Sequence, residues 1–175
     1  VSPPIGLYEI HWFNLVLAFW AMRAGENKTN GWLMYLMGVS LLASNYSWIS
    51  ESVIAFSNLP TIVAWLIVLL YAVAFAVPFW FLGAGVHWIR ERVGLGWIWL
   101  IPGLQVALEQ LSPALFPYYH GALFYRAPLT WQFASVLGVT GVTYLIFLST
   151  CALTEPLYRL RENKPLFPKN YLISW

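Results

Sequence analysis

Five long apolar runs fill most of this chain, and the charged residues fall mainly in the gaps between them. That pattern leaves little choice of fold. A run of about 20 apolar residues, rising 1.5 Å each, crosses the hydrocarbon core of a bilayer as a helix. Lipid offers no partner to backbone N–H and C=O groups, so the chain must satisfy them itself. The runs lie at about 5–22, 30–48, 60–88, 95–111 and 129–153. Positive charge is shared unevenly among the gaps. Arg23 and Lys28 occupy one, Arg90 and Arg92 another, and Arg159, Arg161, Lys164 and Lys169 follow the last run. Arg126 alone sits in a gap of the opposite parity. Because cytoplasmic loops collect Lys and Arg, the chain reads as an all-α integral membrane protein. The expectation is a five-span helical bundle over 1–155, with its N-terminus outside, its C-terminus inside, and a polar cytoplasmic tail over 156–175.

Composition agrees. Hydrophobic residues make up 60% and charged residues 9%, against roughly 25% charged in a soluble domain. The net charge of +2 does not point to nucleic acid, because the basic residues flank apolar runs and form no patch. The 11 Trp and 10 Tyr suit rings seated at membrane interfaces. A single Cys excludes an internal disulfide and a Cys-based metal site. The opening Val1-Ser2-Pro3-Pro4 lacks the basic segment and short apolar core of a signal peptide.

The runs differ in detail. The first carries Glu9, His11 and Asn14 in its first half. The stretch 49–59 mixes Ser50, Glu51, Ser52, Ser57 and Asn58 with Ile, Val and Phe, which suits a segment lying in the membrane interface. The run 60–88, about 29 residues, would reach roughly 43 Å as one helix, more than the ~30 Å core. It must tilt, kink or project, and Pro78 marks a kink. No polar turn divides it into two half-spans. Ser112 to Pro128 forms an outer loop rich in Pro and aromatics. Small residues at Ala72, Ala74, Ala76, Gly83, Ala84, Gly85, Gly138 and Gly141 fit close helix packing.

Among residues able to carry chemistry, Glu109 stands out. It lies inside the fourth run, four residues after Gln105 and so on the same helical face. A carboxyl group in hydrocarbon is costly and faces a bundle interior or a watery cavity. Two readings stay open: a polar site reached from the outer leaflet, or a carboxyl bonded to Gln105 or a neighbouring helix as structural glue. Glu9 and His11 point to different faces and read as interface residues. His87 reads as interfacial beside Trp88, and His120 as part of the outer loop beside Tyr118 and Tyr119, so no His is expected near mid-membrane. The His spacings argue no metal site. Cys151 has no basic neighbour to lower its pKa and reads as a packing residue.

The order of motifs resembles the membrane domain of the apolipoprotein N-acyltransferases, bacterial inner-membrane enzymes that move an acyl chain from a phospholipid to a lipoprotein's N-terminal Cys. The resemblance rests on four segments. Ser2-Pro3-Pro4-Ile5-Gly6-Leu7 matches a Pro-containing loop before a helix. Trp48 followed by 52–60, with Phe56 and Pro60, matches an outer segment. Glu109 leading to Phe116-Pro117-Tyr118 matches a helical Glu before a Phe-Pro-aromatic loop. Pro128, Gln132 and Gly138-Val139-Thr140-Gly141 match the next helix. It covers Ser2 to about Leu153.

The resemblance implies a periplasmic N-terminus, a cytoplasmic C-terminus, and a multi-pass place in the bacterial inner membrane. It also implies a lipid- or partner-binding region at Glu109, Gln105, Phe116, Pro117, Tyr118 and Trp48. The sequence departs from the family in three ways. The family's catalytic Glu, Lys and Cys lie in a nitrilase-like outer domain that is not expected after this cytoplasmic tail, and Cys151 does not stand in for that Cys. The aromatic after Phe-Pro is usually Trp and here is Tyr118. The Arg after the helical Glu is replaced by Ser112. The expected function is therefore a non-catalytic subunit, accessory or scaffold, of a larger membrane complex. Its partners would be other membrane subunits and lipids, with a phospholipid held but no cofactor and no catalytic residue. The alternative is the membrane half, or a fragment, of an N-acyltransferase whose nitrilase-like domain lies elsewhere.

Overall fold

The computed structural model describes residues 8–22, 26–112, 119–124 and 127–165, without side chains at 8–11, 129 and 131. Every regular element among them is helical. The order is α1 (Tyr8–Ala21), α2 (Asn27–Asn45), α3 (Trp48–Ser57), α4 (Thr61–Phe75), α5 (Val77–Val93), a 3-10 turn (Gly94–Gly96), α6 (Trp97–Leu111), a second 3-10 turn (His120–Phe124) and α7 (Pro128–Arg161). Two stretches, Thr61–Leu111 and Gln132–Arg161, are long and apolar enough to cross a membrane.

The run 60–88 resolves into α4 and α5. They meet at Ala76, whose ψ of −6° departs from helical geometry. Pro78 falls in the first turn of α5, where its missing N–H leaves no bond unmade. The Ala76 N–H still donates to Ala72 O at 3.0 Å, and α4 and α5 scarcely touch each other. The pair is therefore a bent rod and not a hairpin. The stretch 49–59 is helical through Ser57, and Asn58 ends it in the left-handed region (φ 52°), a common way to stop a helix.

α2 and α5 form the tightest pair. A Cβ at Gly38 would lie 2.6 Å from Phe79, and one at Gly83 would lie 2.4 Å from the Asn30 carbonyl. Glycine lets the two backbones approach as closely as they do. α7 packs on α1 and α6. It is interrupted at Gly138 (φ 69°, ψ 175°), a backbone region open essentially to Gly alone. The same break places Leu137 against Gly141, where a Cβ would sit 2.3 Å from the Leu137 Cβ. α7 also passes through Pro156 to Arg161, about two turns beyond the expected end of the fifth span.

Those two turns brace one end of the bundle. Glu155 Oε2 accepts from Arg90 Nε (3.1 Å) and Trp97 Nε1 (2.9 Å), and Oε1 accepts from Arg159 Nε (2.7 Å). Arg90 also pairs with Glu162 at 2.6 Å and lies 4.7 Å above the Tyr158 ring. The Tyr158 hydroxyl donates to Phe19 O, and Arg161 Nη1 donates to Trp20 O and Met22 O at 3.2 Å each. The last carbonyls of a helix have no partner within it; here α7 supplies partners for α1. The C-terminal ends of α1, α5 and α7 and the start of α6 thus meet at one end. His87, expected at the interface, is instead buried there with its ring 5.2 Å from that of Tyr158. Its place against Tyr158 of α7, and not its nearness to Trp88, decides this.

Candidate functional site

A second polar cluster lies deeper, where α5, α6 and α7 converge on the turn His120–Phe124. Gln105 and Glu109 stand one helical turn apart on α6, as their spacing predicts, with Gln105 Nε2 donating to Glu109 Oε1 at 3.1 Å. The same oxygen accepts from the His120 backbone N–H at 3.0 Å and lies 2.6 Å from His120 Nδ1. The Glu109 side chain is 4% exposed and that of His120 is 0%. Two rings flank the imidazole, Phe79 at 5.5 Å and Phe147 at 5.0 Å. Next to it the Gly121 N–H donates to Thr143 Oγ1 at 2.9 Å. A Cβ at Gly121 would meet Val139 O at 2.3 Å and Val142 Cβ at 3.1 Å, so the turn is pressed against α7.

His120 corrects the sequence reading. It is not in an outer loop but inside the bundle, and it is the partner of Glu109. From Glu155 to Thr143 α7 climbs roughly 18 Å, and from Trp97 to Gln105 α6 climbs roughly 12 Å. The turn His120–Phe124 therefore lies between the helices. A signal was present in the sequence: between Leu111 and Pro128, Arg126 is the one charged residue and Phe, Tyr and Leu abound, too apolar a stretch to rest wholly in water.

Of the expected site residues, the structure brings Glu109 and Gln105 together. Trp48, 43% exposed, opens α3, which packs chiefly on α4 and stands apart from the cluster. Phe116, Pro117 and Tyr118 lie outside the described residues. Cys151 is fully buried. No three His, Cys or acidic side chains gather to hold a metal among the described residues. Chemically the cluster is a clamp: one carboxyl oxygen accepts from Gln105 Nε2 and the His120 N–H and lies against His120 Nδ1. The second, Oε2, is buried without a hydrogen-bond partner among the described residues.

Comparison with known proteins agrees with the motif order. The family model described as apolipoprotein N-acyltransferase N-terminal domain matches residues 1–152. Two curated relatives from Leptospira interrogans, serovars copenhageni and Lai, each named apolipoprotein N-acyltransferase 2, are 27% identical over 154 residues. The match takes in 87% of this chain and 26% of each relative, so the chain spans about a quarter of their length. No solved structure matches. With a helical bundle in place, Glu109 on its predicted face and most of its length matched, the chain belongs to the apolipoprotein N-acyltransferase N-terminal domain family.

Proposed function

We propose that this chain is a lipid-holding, non-catalytic subunit of a larger bacterial inner-membrane assembly. α1, α2, the bent α4–α5 rod, α6 and α7 would each cross the bilayer, with the N-terminus periplasmic and the C-terminus cytoplasmic. The braced end, rich in Arg, faces the cytoplasm in this reading, as the bias of Lys and Arg toward that side favours. Apolar side chains along α4, among them Ile62, Leu66 and Leu70, are exposed and suit contact with acyl chains. One observation carries the non-catalytic reading: Glu109 is engaged by its own chain, through Gln105 and His120. A carboxyl bonded within its bundle serves that bundle. Ser112, where the family usually has Arg, points the same way.

The alternative is the membrane half of an N-acyltransferase whose nitrilase-like domain is elsewhere. It is favoured by the names of the matched relatives and by the quarter of their length that is matched. Intact-mass spectrometry of every chain in the assembly, taken from native membranes in mild detergent, separates the two. A chain near 20.0 kDa, stoichiometric with other membrane subunits and without a nitrilase-like partner, is expected. A heavier polypeptide, or a nitrilase-like companion, establishes the alternative.

A further inference from the structure

We propose that α3 and α4 form an arm that swings on two hinges, and that the Tyr35 hydroxyl is its latch. Neither functional reading above is needed for it. The arm is residues 48–75, and both its ends are breaks in helical geometry. α2 ends where Tyr46 takes φ −100° and ψ 14°, and α3 begins two residues later at Trp48. α4 ends where Ala76 takes φ −80° and ψ −6°, and α5 begins at the next residue. A few element-terminal residues that absorb a change of backbone angle make a hinge. Between the breaks α3 and α4 pack on each other, whereas α4 and α5 scarcely touch. The close contacts at Gly38 and Gly83 bind α2 to α5, so the arm has a rigid base to move against.

The bend also sets a chemical problem that Tyr35 answers. The last carbonyls of a helix have no partner within it, and four residues after Ala74 stands Pro78, which has no N–H to offer. Hydrocarbon supplies no donor to such groups. From α2, the Tyr35 hydroxyl donates to Val73 O at 2.8 Å, so it reaches from the base to the last turn of the arm. Its ring is steadied edge-on by Trp32 at 5.3 Å. A second tie lies nearer the other hinge, where the rings of Tyr46 and Tyr71 meet edge-on at 5.0 Å with their hydroxyls hydrogen-bonded. The rest of the seat is small: the buried residues of α4 are Ala64, Val68 and Ala72. The outward side is open, with Phe56 91% and Ile62 72% exposed, so no described element blocks the swing.

Distances between paired nitroxides, read by double electron–electron resonance on the full chain in lipid nanodiscs, test this. Cys151 is fully buried, so the labels go to introduced cysteines at exposed positions. Ile62→Cys on the arm is paired with Leu153→Cys on α7, and Phe81→Cys on the base with Leu153→Cys serves as the control. Ile62 stands roughly 21 Å along α4 from the Ala76 hinge, so a swing of about 20° carries it roughly 7 Å. Tyr35→Phe keeps the ring and removes the hydroxyl. It should raise the population of the displaced 62–153 distance about fivefold, the factor equivalent to roughly 1 kcal/mol, and leave 81–153 unchanged. Adding Tyr71→Phe should raise it further. A 62–153 distribution unchanged in Tyr35→Phe overturns the latch. Equal broadening of 62–153 and 81–153 overturns the arm, because the whole bundle has then loosened.

Discussion

At the braced end Glu155 places both carboxyl oxygens on donors, Oε2 on Arg90 and Trp97 and Oε1 on Arg159. Roughly 18 Å along α6 from Trp97, Glu109 accepts from Gln105 Nε2 and the His120 N–H on one oxygen, beside His120 Nδ1, and leaves the other with no partner among the described residues. The two carboxyls are almost equally buried, with side chains 8% and 4% exposed, so burial does not separate them. Saturation does. The difference is local to the two carboxyls, because His87, buried at the braced end, also has both ring nitrogens without a hydrogen-bond partner among the described residues. The Glu155 carboxyl is thus the more fully bonded of the two, and the Glu109 carboxyl the less.

The contrast can be broken by substitution, and the largest effect should come from the brace. Glu155→Ala strands Arg90, Arg159 and the Trp97 N–H, and should cost about 3–5 kcal/mol in denaturant unfolding from detergent micelles. If Glu109→Leu cost more than Glu155→Ala, the order of the two carboxyls would be reversed. The expectation for Glu109→Leu is smaller, about 1–3 kcal/mol, because the Gln105 amide and the His120 N–H that it releases carry no charge. Glu109→Gln should cost less still, since the amide keeps an acceptor for His120 and places a donor where Oε2 now has no partner.

Acid sharpens the comparison at its outer edge. Hydrogen bonding from Arg90, then from Lys164, holds the Glu162 carboxyl down at about 2, against an ordinary 4.5, with burial opposing. A depressed carboxyl stabilises the fold at pH above its unfolded value and loses that contribution as pH falls through its folded value. The thermal midpoint should therefore be steady from neutral pH to about 4.5, then fall toward pH 2. Glu162→Gln should start lower and flatten that decline. The smallest effect belongs to Lys164→Ala. Its ion pair with Glu162 spans 2.8 Å, but the lysine side chain is 61% exposed, so the midpoint should shift by the equivalent of roughly 1 kcal/mol at most.

Much of this was legible because membrane helices announce themselves by length and apolarity. The all-helical pattern, the bend near Pro78, and the shared face of Gln105 and Glu109 all follow from spacing along one helix. What spacing does not encode is which helices meet. Arg90, Arg159 and Arg161 read as markers of sidedness, yet they are also the cations of a tertiary network, because α7 continues past Pro156 and brings Glu155, Tyr158 and Glu162 beside α5. The Pro- and Tyr-rich neighbours of His120 place it in a loop on sequence grounds. Its burial depends on Gly121, a residue small enough to press against Val139 and Val142. Gly138 was marked only as a small residue, and its break is a matter of backbone angle that composition does not reveal.

The bonds that Tyr158 and Arg161 make to the end of α1 link residues 139 to 141 positions apart. During synthesis the first helix therefore waits for the last. At about 5–20 residues per second, the carbonyls of Phe19, Trp20 and Met22 stay without these donors for on the order of ten seconds after they leave the ribosome. The end of α1 is in that interval not yet held by α7, and its final position is settled only when the closing turns of α7 arrive.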